Sequence, residues 1–306
     1  MTSRPTITTV PLNTGATMPQ HGLGTWLSKP GEVKDAVKTA LYAGYTHIDA
    51  AAVYGNEAEV GEALAEVFAD EDSGIKREDV FITSKLWSQS HGSIAEALNQ
   101  TLKDLQLDYL DLYLIHNPVA FQGETVFDVA ELEYIPLAAK WKAMESLQDA
   151  GLTRAIGVSN FPTALIYELL SVARIPPAVV QIERHPYNVQ KLHVDFVERH
   201  HIHVTNYSPL GNPGKYSGGP ETKLLEHPKV LELADAHNKT AAQILIRWGI
   251  DKGATVIPKS VNPDRIKENL AVFDFQLQPH EVAELDALDV GHRYLDFTFL
   301  GVPIFT

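Results

Sequence analysis

Asp49, Tyr54, Lys85 and His116 each fall at or just after the end of a short apolar run, and together they are residue types that move protons. A free phenol titrates near ~10, too high to donate a proton efficiently at neutral pH. An ammonium about 4 Å away contributes a gross ~4 kcal/mol at an effective dielectric of ~20, which would acidify the phenol by up to about three units. Desolvation opposes that shift. Lys85 is the candidate ammonium, and Asp49 is the carboxylate that keeps it charged once buried. His116 then offers a neutral N–H to orient a carbonyl oxygen. The set predicts general-acid chemistry on a C=O group, with Tyr54 as the acid. Taken singly, each residue has a structural reading: a capping carboxylate, a packed aromatic, half of an ion pair, a core histidine. Lys85 also admits a different reaction, a Schiff base in an aldolase-like barrel.

Residues so far apart in sequence must be brought together by regular elements. Short apolar runs occur at 22–24, 45–49, 80–85, 109–116, 153–159, 179–183, 203–208 and 255–258. Amphipathic segments lie between most of them, at 32–43, 57–68, 94–105, 137–150, 162–173, 191–200, and 230–236 continuing through 240–251. The segment 191–200 also alternates at period two, so its spacing alone leaves helix and strand open. Eight alternations without a composition break predict one (β/α)₈ barrel spanning 1–306. A hairpin around Leu12 to Gly15 precedes it, and a C-terminal substrate loop completes it. The doubly wound alternative wants a Gly-rich phosphate turn, and Gly22-Leu-Gly24-Thr-Trp-Leu27 lacks its third glycine. In a barrel, polar residues that end apolar strands converge on one face. The Gly- and Pro-rich stretch 211–220 reads as a mobile loop at that mouth.

Composition narrows the field further. The 306 residues carry a formal charge of −14, which argues against a general nucleic-acid or anionic-membrane binder. Cysteine is absent, which excludes disulfide and thiolate chemistry and suits a reducing, cytoplasmic setting. The N-terminus lacks the apolar run of a secretory signal, and no apolar stretch approaches the roughly 20 residues of a membrane span. His200-His-Ile-His203 has no carboxylates at ligand spacing and reads as a solvated turn, so no metal is expected. A monomer is favoured over an oligomer.

The sequence resembles the aldo-keto reductases over essentially its whole length. Three signatures carry the resemblance: Gly44-Tyr-Thr-His-Ile-Asp49-Ala-Ala through Glu57 and Val60-Gly61; Gly151-Leu-Thr-Arg154-Ala-Ile-Gly157-Val-Ser159-Asn160-Phe161; and Ile257-Pro-Lys259-Ser260-Val-Asn262-Pro-Asp-Arg265-Ile-Lys-Glu268-Asn269. Lys85 in "ITSKLW" and His116 in "LYLIHNP" add to it. The resemblance implies that Asp49, Tyr54, Lys85 and His116 form a catalytic tetrad, with a nicotinamide cofactor delivering hydride. Thr46, where many members have Arg, and Asn117, where some have Trp, depart from the pattern.

The third signature also has a direct reading. Lys259, Ser260, Asn262 and Arg265 place two cations and several donors around a helix start at Pro263, a site suited to an anion. That favours a ribose 2′-phosphate, hence NADPH/NADP+ over NADH. Glu268 and Asn269 would meet the adenine, as the resemblance implies. At the other end Tyr207 would stack on the nicotinamide, with Ser159, Asn160 and Gln181 bonding its carboxamide. Thr25 and Trp26 would touch the ribose, and Ser208 and Leu210 would begin a flap over the pyrophosphate. Trp26, Trp87, Asn117, Phe121 and Phe297, with Tyr54 and His116, would wall the substrate.

The resulting expectation is NADPH-dependent reduction of small-molecule aldehydes or ketones. The pattern is most similar to fungal members that reduce small sugars or glyceraldehyde and oxidise glycerol in reverse. A non-enzymatic alternative is an NADPH-binding regulatory subunit.

Overall fold

In the computed structural model, residues 7–211, 220 and 222–305 are described. The predicted hairpin forms from β1 (Thr9–Pro11) and β2 (Thr17–Pro19), which pair antiparallel. Eight further strands lie parallel in one sheet: β3 (Leu23–Gly24), β4 (His47–Asp49), β5 (Phe81–Leu86), β6 (Leu112–Ile115), β9 (Ile156–Ser159), β10 (Val179–Glu183), β11 (His203–Tyr207) and β12 (Thr255–Val256). Their order around the sheet matches their order in the chain, as a barrel requires. Bridges from His21 to Val256 and from Gly24 to Lys259 bring the first edge onto the last. A small second hairpin, β7 (Ala120–Gln122) with β8 (Glu131–Glu133), interrupts the series, and no local pattern in the sequence announces it.

Helices cover the outside: α1 (Glu32–Ala43), α2 (Glu57–Ala69), α3 (Ile94–Leu105), α4 (Leu137–Asp149), α5 (Thr163–Val172), α6 (Lys191–Arg199), α7 (Pro228–His237), α8 (Ala241–Asp251), α9 (Pro263–Leu270) and α10 (Pro279–Asp286). The ambiguous segment after residue 190 is helical, because Val194 and Val197 bury one face against the sheet. The long segment expected to run through 251 is two helices instead. Asn238 adopts a left-handed conformation at φ 50, and Thr240 with Gln243 forms a capping box that starts α8 afresh. Among the described residues no helix is long and apolar enough to cross a membrane.

The two glycines of Gly22-Leu-Gly24 have a packing role. A Cβ on Gly24 would sit 2.9 Å from the carbonyl oxygen of Ile257, and one on Gly22 would strike the ring of His47. Gly24 thus lets β3 approach the chain that follows β12 where the barrel closes, and Gly22 makes room for the His47 ring of β4, so the pair serves packing rather than a phosphate turn.

Strand alternation then decides what faces inward. Ile48, Ile82, Val180 and Ile182 point out and pack with helix residues such as Val37, Leu64 and Leu98. The floor is apolar: Leu12 and Met18 from the first hairpin pack with Phe81, Leu112, Leu114 and Val179. Asp49, Lys85 and Gln181 occupy the inward positions above that floor and are hydrogen-bonded to one another. The carboxyl ends of the strands therefore carry the polar residues.

Candidate active site

Lys85 is completely buried, and its ammonium group meets three acceptors. Nζ donates to Asp49 Oδ1 at 2.5 Å, to the carbonyl oxygen of Ala50 at 2.9 Å and to the Tyr54 hydroxyl at 3.2 Å. Three N–H groups meeting three acceptors is the stoichiometry of a charged lysine. Asp49 is fixed from its other side, where Gln181 Nε2 donates to Oδ2 at 2.8 Å. Because the ammonium occupies the Tyr54 oxygen as a donor, the proton of the phenol is free to point away from it. The Tyr54 ring stands edge-on to His116, with centroids 5.8 Å apart. Tyr54 is carried by a 3-10 turn, Ala52–Tyr54, between β4 and α2.

The electrostatics differ from the sequence expectation in one respect. Burial lifts the Tyr54 hydroxyl well above its ordinary value, and the Asp49 and Glu57 carboxylates reinforce the rise. The phenol is thus kept protonated rather than acidified in the protein by itself, with the Lys85 ammonium placed where it would stabilise a phenolate at that oxygen. Burial also pulls Lys85 below the usual lysine value, opposed by Asp49. His116 is pushed well below the imidazole range by burial, with Lys85 contributing, so its ring is neutral. Its Nδ1 is buried without a partner among the described residues, which leaves Nε2 as the nitrogen open to the cavity.

These directions set a pH profile. With His116 neutral and Tyr54 protonated throughout, kcat/KM for aldehyde reduction is expected to stay flat through the ordinary imidazole range near pH ~6.5. Decline begins on the alkaline side, as Lys85 loses its proton. Glu57, pushed up to about 7 by burial, titrates inside the flat region, but its carboxylate bonds Ser84 and Thr101 rather than the phenol. A Glu57→Gln variant removes any shallow inflection of that origin. A steep acid-side loss that survives this substitution would mean that His116 titrates.

A cavity of about 630 Å³ opens over these residues, a size that suits a cofactor with a small substrate. Thr25, Trp26, Asn160, Gln181, Tyr207, Ser208, Leu210, Lys259, Ser260, Arg265, Glu268 and Asn269 all line it, as do Trp87 and Phe297. Asn160, left-handed at φ 60, donates to the carbonyl oxygen of His116 and accepts from the Tyr207 hydroxyl at 2.7 Å. Thr25 donates its hydroxyl to the carbonyl oxygen of Asp49. At the far end Lys259 Nζ reaches the carbonyl oxygen of Leu27, and neither Lys259 nor Arg265 forms an ion pair among the described residues. Two unneutralised cations beside the start of α9 fit the phosphate groups of a dinucleotide.

Three expected contacts are turned away from the cavity, and a fourth residue is partly committed to capping. Phe121 is fully buried behind Trp87, at 6.2 Å between centroids, and does not reach the cavity. Asn117 is also buried, its Oδ1 accepting from Ser88 Oγ and the backbone N–H of Val119. Ser159 donates to the carbonyl oxygen of Gln181 and accepts from Asn160, so it orients neighbours from behind the wall. Asn262 spends its side-chain oxygen as the N-cap of α9, accepting from the N–H groups of Asp264 and Arg265. Conversely, Val53 and Phe127 line the cavity although sequence reasoning does not single them out, and Leu295 and Phe299 line it from the C-terminal loop expected to meet the substrate. Tight side-chain packing brings Phe127 in from the loop of the second hairpin, whereas the aromatic tail containing Phe299 is visible in the sequence as a candidate wall.

The flap expected at 211–220 falls almost entirely outside the described residues. His200 Nδ1 bonds the carbonyl oxygen of Phe196, and His203 Nε2 bonds Thr255 Oγ1, so these two serve the fold separately.

Comparison with known proteins adds to this geometry. Residues 20–290 match the aldo/keto reductase family. A Xenopus tropicalis protein described as aldo-keto reductase family 1 member A1 is 47% identical over 293 residues, covering 93% of this chain and 89% of its own length. The Mus musculus protein of the same description is 46% identical over 299 residues, covering 95% of this chain and 92% of its own. The solved structure of the aldose reductase from Schistosoma japonicum matches with a TM-score of 0.89 at 42% identity, covering 96% of each chain.

Proposed function

The chain belongs to the aldo/keto reductase family and is an oxidoreductase that interconverts carbonyls and alcohols with a nicotinamide cofactor; from that premise we propose an NADPH-preferring reductase of apolar and aromatic aldehydes, with Tyr54 as its proton donor. The observation that carries the acid role is the Lys85 ammonium bonded at once to Asp49 and to the Tyr54 oxygen. A bound reduced nicotinamide supplies the hydride. The protein's own residues do the rest: His116 Nε2 orients the carbonyl oxygen, Tyr54 gives it a proton, and Lys85 stabilises the phenolate left behind. Gln181 and Asp49 hold Lys85 in register throughout. Lys85 is sealed from the cavity and saturated with acceptors, which speaks against a Schiff-base role. Nothing in the site favours a purely regulatory subunit.

Lys259 and Arg265 support the choice of NADPH, because two cations without an ion pair among the described residues outweigh the Glu268 carboxylate that lines the cavity there. The substrate preference rests on a run of ring contacts: Trp26 with Tyr54, Trp87 with His116, Phe127 with Trp87, and Phe299 with both Phe127 and Phe297. Such walls exclude water and reward apolar bodies over hydroxylated ones. A small sugar or glyceraldehyde would bury hydroxyls against rings that offer them few partners. The lack of cysteine suits a cytosolic setting, and we take the monomer as the working unit.

One assay tests the reading: initial rates of NADPH and NADH oxidation with benzaldehydes, glyceraldehyde and xylose. Benzaldehydes and NADPH are expected to lead, the nucleotide gap being roughly 10–100-fold, the size a lost charge-assisted contact gives. Arg265→Ala should narrow that gap. Absence of turnover with every carbonyl would end the proposal, and a lead for xylose would overturn its substrate class.

A further inference from the structure

Glu183 ends β10 with its carboxylate completely buried, away from the proton-transfer residues and with no lysine or arginine paired to it among the described residues. Its two oxygens are instead met by backbone. The N–H of Tyr294 donates to Oε1 at 2.7 Å, and the N–H of Leu295 donates to Oε2 at 2.8 Å. His185, equally buried, places Nε2 2.9 Å from Oε1 and its ring 5.3 Å from that of Tyr294. The same turn of chain grips the neighbouring backbone. The carbonyl oxygen of Tyr187 accepts from the N–H groups of Val290 and His292, and Gln190 Oε1 accepts from Arg293 Nη2. Asn188 and Gln190 in turn donate to the carbonyl oxygen of Glu183.

Beyond this clamp the chain forms the outer wall of the cavity. Leu295, Phe297 and Phe299 line it, and Phe297 adopts a left-handed conformation at φ 58, rare for an aromatic residue. Such a conformation persists only when the surrounding structure holds it. Tyr294 also leans on the rim beside the cofactor arm, its hydroxyl 3.2 Å from where a Cβ on Gly211 would lie. One buried carboxylate therefore grips the chain at the point where the barrel hands over to the substrate wall.

We propose that Glu183, oriented by His185, is a positioning residue that sets the substrate wall through the backbone of Tyr294 and Leu295 and so fixes selectivity for bulky carbonyls. The inference rests on the reductase reading above, but its structural half can be measured without turnover. Glu183→Gln keeps the size of the side chain while replacing one acceptor oxygen by a donor that faces an N–H. Amide hydrogen exchange over residues 290–299 is expected to accelerate roughly 10–100-fold, the effect of losing a charge-assisted bond, while exchange in the barrel strands stays unchanged. In parallel, KM for bulky benzaldehydes should rise roughly tenfold or more, with KM for propanal, kcat for propanal and NADPH affinity unchanged. Glu183→Asp, which retains the charge, should recover part of both effects. His185→Phe keeps a ring against Tyr294 and leaves both acceptor oxygens, and it should show the same pattern more weakly; it serves if Glu183→Gln fails to fold. Unchanged exchange at 290–299 in a folded variant would overturn the anchor. Equal losses for propanal and benzaldehydes would overturn the selectivity role. Should the wild type reduce no carbonyl, the exchange measurement still decides whether Glu183 anchors the wall.

Discussion

Tyr54→Phe is expected to lower kcat for aldehyde reduction by roughly 10²–10⁴-fold, the usual worth of a positioned general acid. The affinity for NADPH should stay within about twofold, because the hydroxyl lies against Lys85, away from the proposed phosphate site at Lys259 and Arg265. The substitution deletes an acceptor for one Lys85 N–H but leaves Asp49 and the Ala50 carbonyl in place, so the ammonium remains charged and held. Single-turnover measurement with bound NADPH separates the chemical step from product release. A variant that turned over like the wild type would remove Tyr54 from the proton path and return the acid role to His116 or water.

Lys85→Met should abolish measurable turnover and also destabilise the fold, and the two effects can be told apart. The Asp49 carboxylate is left buried with Gln181 as its one remaining hydrogen-bond partner among the described residues, and an uncompensated charge of that kind costs about 3–5 kcal/mol. A lower urea midpoint would register the cost. Adding Asp49→Asn neutralises the stranded charge and should restore much of the stability while restoring none of the activity. If the double variant were as unstable as the single one, the lysine would be serving packing more than charge balance. Recovery of turnover in the double variant would be the more serious result, since it would mean that no cation is needed beside the phenol.

Much of the architecture is legible in the residues themselves. Eight apolar runs separated by amphipathic segments have few solutions other than a barrel, and polar residues at the ends of those runs have to meet at its mouth. Asp49, Tyr54, Lys85 and His116 can be named from type and position, because each is chemically conspicuous at or shortly after the end of an apolar strand. Lys259 and Arg265 are visible as cations near a helix start marked by Pro263. Helix boundaries at 32–43 and 94–105 are readable from local periodicity, since an amphipathic stripe is a local property.

Other features depend on contacts across the chain. Phe121 and Phe127 are both aromatics on the same insertion, yet one packs behind Trp87 and the other faces the cavity. A hairpin register that no local pattern announces makes that choice. Asn262 and Arg265 both look like partners for an anion, but the side-chain oxygen of the first is tied to the helix start as the N-cap of α9, which leaves only its amide nitrogen as a donor on that side chain. The state of Tyr54 is also a tertiary matter. Sequence supplies the lysine that acidifies a phenol, but the depth of burial and the reach of Asp49 and Glu57 keep that phenol protonated. Composition and spacing thus determined which groups this protein brings to a carbonyl. Long-range packing decided which of them are exposed, charged or already spent on holding the fold, because burial and hydrogen-bond partnership depend on neighbours that can lie more than a hundred residues away.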